Sequence, residues 1–146
     1  MKRIITALGV SALTAGSALA SDRSDITAVL NQWNDADVAK SIATCAEDAS
    51  VMDDIPPYEW HGAGACASWA KDYDAFAQKN GMTDANGTIG KPRQIIITGD
   101  RAYAVAPATF SFTKDGKQVK TIATATFALK KIATGWRITG WTWTPH

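Results

Sequence analysis

Apolar positions fall into one rhythm in the first half of the chain and another in the second. Ile26, Val29, Leu30 and Trp33 stand at i, i+3, i+4 and i+7, which predicts a helix over residues 24–34 with these four on one face. Ser21, Asp22 or Ser24 can cap its start. Asn34-Asp35-Ala36-Asp37 interrupts the pattern, since Asn and Asp favour caps and turns. A shorter helix is expected from Asp37 to Ala46, with Val38, Ile42 and Cys45 inward. An extended run follows from Ala49 to Asp54, halted by Pro56-Pro57, and a second short one from Tyr58 to His61 ends at Gly62. The clearest helix spans 63–79, where Cys66, Trp69, Ala70, Tyr73, Phe76 and Ala77 form one stripe and Asn80-Gly81 supplies the stop.

After a loop at Asp84–Gly90 the period changes to two. Four β-rich segments are predicted: Arg93–Thr98, Arg101–Thr113, Gln118–Ile132 and Trp136–Thr144. Gly99-Asp100, Lys114-Asp115-Gly116-Lys117 and Ala133-Thr134-Gly135 punctuate them as tight hairpins. The two central segments are rich in Ala and Thr, and small side chains leave room for a helix or a ligand on the sheet. Helices first and an antiparallel meander afterwards define an α+β fold, with the helices on one face of a curved sheet. No repeat or linker marks a second domain.

The amino terminus changes the picture of where this domain resides. Met1-Lys2-Arg3 precedes an uncharged stretch to Ala20, which closes with Ala18-Leu19-Ala20, the small-x-small pattern of a cleavage site. Residues 1–20 are therefore read as a cleaved secretion signal and 21–146 as a single domain, periplasmic or secreted. The competing reading is a membrane anchor, but Thr6, Ser11, Thr14, Gly16 and Ser17 dilute the apolar run. Cleavage removes two of the 15 basic residues and none of the 14 acidic ones, so the formal charge moves from +1 to −1. A nearly neutral chain without a basic run offers no grip on nucleic acid or on a membrane surface. In an oxidising compartment a Cys45–Cys66 disulfide is the first expectation, with two buried thiols as the alternative.

Several strings, in order, carry a family resemblance. They are Asn34-Asp35-Ala36-Asp37 after the first helix, Ala46-Glu47-Asp48-Ala49-Ser50-Val51, Trp60-His61-Gly62 opening the long helix, and Gly135-Trp136-Arg137-Ile138 opening the last strand. Across about Asp25 to Thr144 the chain resembles the nuclear transport factor 2-like superfamily, in particular its SnoaL-like and ketosteroid-isomerase-like branches. The resemblance implies a cone: a curved antiparallel sheet wrapped around a long helix, with two shorter helices before it and an apolar pocket at the wide end. It also implies a homodimer through the exposed sheet face. One fold of this kind hosts enzymes and simple binders alike, so it does not set the function.

The resemblance further implies a role for Asp53, which falls where ketosteroid isomerases carry their general base, in Asp48-Ala49-Ser50-Val51-Met52-Asp53. Strand alternation puts Val51 and Asp53 on one face. A carboxylate among apolar walls has its pKa raised towards the range useful for moving protons. Where that family has its tyrosine donor this chain has Val29, which argues against a steroid isomerase. The plain alternative for Asp53-Asp54 is a pair of solvated acids at a strand end. His61 is the second catalytic candidate, as an acid, base or donor with Tyr58 assisting, and its alternative is a structural histidine. Tyr58, Trp60, Trp69 and Tyr73 are the aromatic candidates for ligand walls, with core packing as the plainer reading of the helical pair. Trp141 and Trp143, assigned to the face of Arg137 and Thr139, are read as core or dimer interface ahead of ligand wall. No phosphate loop, dinucleotide fingerprint, nucleophile elbow or metal-spaced His cluster occurs, so no cofactor or metal is expected. Three functions follow: a pocket protein binding a small, largely apolar molecule; a proton-transfer enzyme using Asp53; and an assembly module.

Overall fold

The computed structural model describes residues 13–146; the first twelve residues of the expected leader lie outside the described residues. The chain order is α1 (Leu13–Trp33), α2 (Val38–Ile42), β1 (Cys45–Met52), β2 (Glu59–His61), α3 (Ala65–Lys79), β3 (Thr83–Ile89), β4 (Gln94–Thr98), β5 (Arg101–Lys114), β6 (Lys117–Ile132) and β7 (Gly135–Pro145). The fold is α+β: three helices lie against a curved, unclosed sheet of order β2-β1-β7-β6-β5-β3, with β4 also paired to β5. All pairings are antiparallel except β1 with β7.

α1 begins earlier than its apolar face, because the Ala-rich stretch before it is a good helix former. Its contacts begin later: Ala18 to Ser21 are exposed, Asp22 is buried, and Ile26 and Leu30 are almost wholly buried. α2 is only five residues, capped by Asp37, whose carboxylate accepts from the Ala39 N–H at 3.0 Å. The expected helix to Ala46 stops short because Cys45 and Ala46 already belong to β1.

α3 meets β1 at a pinned corner. Gly64 caps the helix at φ 75°, a conformation that costs a residue with a Cβ, and its N–H donates to the Glu47 carbonyl at 2.9 Å. A disulfide joins Cys45 on β1 to Cys66 in the first turn of α3.

The sheet's inner face shows why strand positions matter. Ala104, Phe127, Trp141, Val51 and Trp60 stand side by side across five strands, all buried. Ala102, Ala104, Ala106, Ala108, Ala123 and Ala125 share this face and are buried too, so small residues let large rings and helices sit close.

Two expectations need correction. Residues 84–90 were expected as a loop, yet Thr83–Ile89 is a strand paired with β5. Its Asp, Asn and Gly carry little strand propensity; the unpaired edge of β5 supplies the order instead. On β7, strict alternation puts Trp141 and Trp143 on the face of Arg137. A bulge intervenes: Leu129 pairs with Ile138 but Ala128 pairs with Gly140, so Thr139 is an extra residue. One inserted residue inverts the parity, and Trp141 and Trp143 turn inward.

Candidate functional site

The helices do not fill the wide end of the cone. A cavity of about 510 Å³ remains between the end of α1, α2, α3 and the inner sheet face. That volume falls in the range of small-molecule pockets. Its wall is aromatic and continuous. Trp33 meets Trp141 edge-on at 5.4 Å between ring centres, Trp141 meets Trp69 at 4.7 Å, and Trp69 meets Tyr73 at 5.7 Å. Tyr73 meets Phe110 at 6.0 Å, which in turn contacts Phe112 and Trp143. All seven rings line the cavity.

Asp53 is the polar centre of this wall. It follows β1 directly, and its backbone N–H donates to the Tyr58 carbonyl at 3.1 Å, closing the turn that holds Pro56-Pro57. One carboxylate oxygen accepts from its neighbour's backbone, the Asp54 N–H, at 2.7 Å. The other accepts from the Trp69 indole N–H at 2.6 Å. Burial pushes the Asp53 carboxyl up to about 6; the Trp69 hydrogen bond opposes that rise, and adjacent Asp54 adds to it. Among the described residues no Lys, Arg or His forms an ion pair with it.

Tyr73 lies one helical turn beyond Trp69 on α3, on the same stripe. Its hydroxyl is buried and has no hydrogen-bond partner among the described residues. Burial pushes its pKa up to about 12, and the negative charges of Asp53 and Asp74 push the same way. An unpaired buried hydroxyl costs about 1–3 kcal/mol, so this one is poised to accept a partner. A carboxylate titrating near neutrality and a neutral phenol on one apolar wall can together take a proton and hold a polar ligand atom.

The other candidates lie elsewhere. His61 is exposed on the outer sheet face, opposite Ser50, with its ring nitrogens 3.2 Å from Ser50 Oγ and from Glu59 Oε2. It is not part of the site: its neighbour Trp60 takes the inward position opposite Val51, and alternation sends His61 out. Trp60 is buried in the core with its indole N–H donating to Asp72 at 2.8 Å, and does not line the cavity. Tyr58, 60% exposed at φ 75°, points away from the cavity wall as well. Trp69 and Tyr73 remain. The rings not among the sequence candidates are Trp33 and Phe76 on the helical stripes, Trp141 and Trp143, hidden by the bulge, and Phe110 and Phe112 towards the end of β5; only a sign of the bulge could have revealed Trp141 and Trp143. Among the described residues no group of three His, Cys, Asp or Glu is placed to hold a metal ion.

No family model matches the chain, and no curated protein gives a sequence match. Solved structures do. A nuclear transport factor 2-like protein with a cystatin-like fold from Novosphingobium aromaticivorans superposes with a TM-score of 0.72 at 15% identity, covering 90% of this chain and 86% of that one. A nuclear transport factor 2-like superfamily protein from Salmonella enterica gives 0.70 at 18% identity, covering 87% and 92%. A ketosteroid isomerase-like protein from Erwinia carotovora gives 0.62 at 23% identity, covering 87% and 95%. The chain thus has the nuclear transport factor 2-like, cystatin-like fold.

Proposed function

We propose that this is an exported pocket protein that binds a small, largely apolar, ring-shaped molecule. The observation that carries the reading is the open cavity of about 510 Å³ walled by eight aromatic residues, the seven rings above and Phe76. Rings bury large areas against flat ligands, while a few polar groups, here Asp53 and Tyr73, fix orientation. Export rests on the leader-like residues 1–20. It is supported by the disulfide and by the contact boundary, since Ala18 to Ser21 are exposed and Asp22 is buried. Native mass spectrometry of the protein recovered from its own host tests both parts. The expected mass is that of a chain beginning at Ser21 plus a small molecule lost on activation. A chain retaining Met1, or one that never carries or takes up a small molecule, would remove the corresponding half of the reading.

A second reading is favoured by the Asp53 carboxyl standing at about 6 on the same cavity wall as Tyr73, whose hydroxyl has no partner among the described residues. In this reading Asp53 removes a proton next to a ligand carbonyl, and Tyr73 donates to the developing oxyanion. Deuterium exchange at such a carbon of a retained carbonyl ligand should be accelerated by wild type and not by Asp53→Asn. Equal rates for the two would reduce the protein to a binder.

A further inference from the structure

The charge pattern of the cavity narrows its ligand. We propose that the pocket takes an organic cation, an aromatic or alicyclic amine or quaternary ammonium, with its charge beside Asp53 and its body against the rings. This rests on the pocket reading above and specifies its ligand class.

Three observations converge. Among the described residues, Asp35, Asp53, Asp54 and Asp74 all line the cavity, against a single basic side chain, Lys114, exposed at the end of β5. An anionic ligand would meet net repulsion there. Aromatic rings attract a cation over their faces, so a cavity lined by Trp and Tyr rings can take a desolvated cation as well as an apolar surface. Third, Asp53 has neutral donors on both oxygens, Trp69 and the Asp54 N–H, yet no cationic partner among the described residues. A neutral ligand filling the cavity would desolvate this carboxylate further without compensation, whereas a cation supplies the missing charge. The Tyr73 hydroxyl, on a residue of the same wall and without a partner among the described residues, can accept from an ammonium N–H.

Protonation of Asp53 should weaken the preference. Asp53 loses its charge as pH falls through about 6. The other charged or titratable groups facing the cavity are Asp35, Asp54, Asp74, Tyr73 and Lys114. Tyr73, held near 12, stays neutral across this range.

The test compares phenyltrimethylammonium with its neutral isostere tert-butylbenzene, titrated against tryptophan fluorescence of the chain from Ser21. At about pH 8 the cation should bind roughly tenfold more tightly, the scale of a desolvated cation–ring contact plus one close carboxylate. That ratio should shrink severalfold at about pH 5, where Asp53 is largely protonated, and in Asp53→Asn. The wild-type pH pair carries the test should the variant fail to fold. Equal or tighter binding of tert-butylbenzene at the higher pH overturns the cation and leaves the pocket reading standing. A ratio insensitive to both pH and Asp53→Asn overturns the placement of the charge. Binding of neither probe overturns the cation and the pocket together.

Discussion

Two aspartates at opposite ends of the helical layer receive the same kind of donor and end with opposite acidities. Asp22, near the start of the buried part of α1, accepts the Trp136 indole N–H at 3.0 Å and the Lys131 ammonium. Asp53, at the cavity, accepts the Trp69 indole N–H at 2.6 Å and has no cationic partner among the described residues. The hydrogen bond from Lys131, followed by that from Trp136, holds the Asp22 carboxyl below its ordinary range. Burial lifts Asp53 to about 6 despite its shorter indole bond. An indole donor alone therefore does not compensate a desolvated carboxylate; a positive charge does. The end with the charge pair fastens α1 to the sheet, and the end without it keeps an unmet electrostatic demand. Such unmet demands mark sites of function more often than of stability.

The largest expected effect comes from removing the disulfide that joins β1 to α3, the helix that carries Trp69. Replacing Cys45 and Cys66 together by Ala should lower stability by about 3 kcal/mol, or roughly 10 °C in Tm, from the lost loop constraint. It should also let the Asp53 pKa fall towards 3.8 while Asp22 is unmoved. Calorimetry and carboxyl NMR titrations read both. A folded variant with Asp53 still near 6 would show that the turn, not the pinned corner, sets its burial.

Next in size is the pH signature of Asp53 itself. A carboxyl with a raised folded pKa binds its proton more tightly in the folded state. Stability from this group is thus fully present below the unfolded value of 3.8 and is lost as pH rises through about 6. Asp53→Asn, which mimics the protonated form, should gain about 2 kcal/mol over wild type at pH ~8 and nothing at pH ~3. Denaturant unfolding at the two pH values decides it, and a loss of stability at the higher pH would contradict the assigned burial.

Asp22→Asn should do the reverse, with the smallest effect because Lys131 is half in solvent. The folded pKa of Asp22 is depressed, so its contribution is present above 3.8 and is lost as pH falls through the lower folded value. The variant should unfold at a lower temperature than wild type near neutrality, with the gap closing in acid. Lys131→Met should behave alike; a Lys131→Met variant that is more stable than wild type would mean that the pair costs more to desolvate than it returns.

Periodicity and punctuation were enough to place α3, the hairpins of β4 to β7 and the α+β order, because these segments state their burial in local residues. The stripe Cys66-Trp69-Tyr73 and the turn at Asn80-Gly81 depend on nothing distant. The strand assignment of Thr83–Ile89 could not be read locally, since its order comes from β5 across the sheet. Nor could the wall of Trp141 and Trp143, because a one-residue bulge in β7 is defined only against β6. At the site, the sequence singled out Asp53 through its string and Trp69 and Tyr73 through their stripe. It could not tell inward from outward for His61 and Trp60, whose facing follows from the pairing of β2 with β1, or for Tyr58 in the turn before β2. The sequence by itself determined which segments are helix or strand and which carboxylate to watch. Only the tertiary structure decided which aromatic rings share a cavity with that carboxylate and that no cation among the described residues neutralises it, because register, bulges and cross-sheet neighbours are relations between segments distant along the chain.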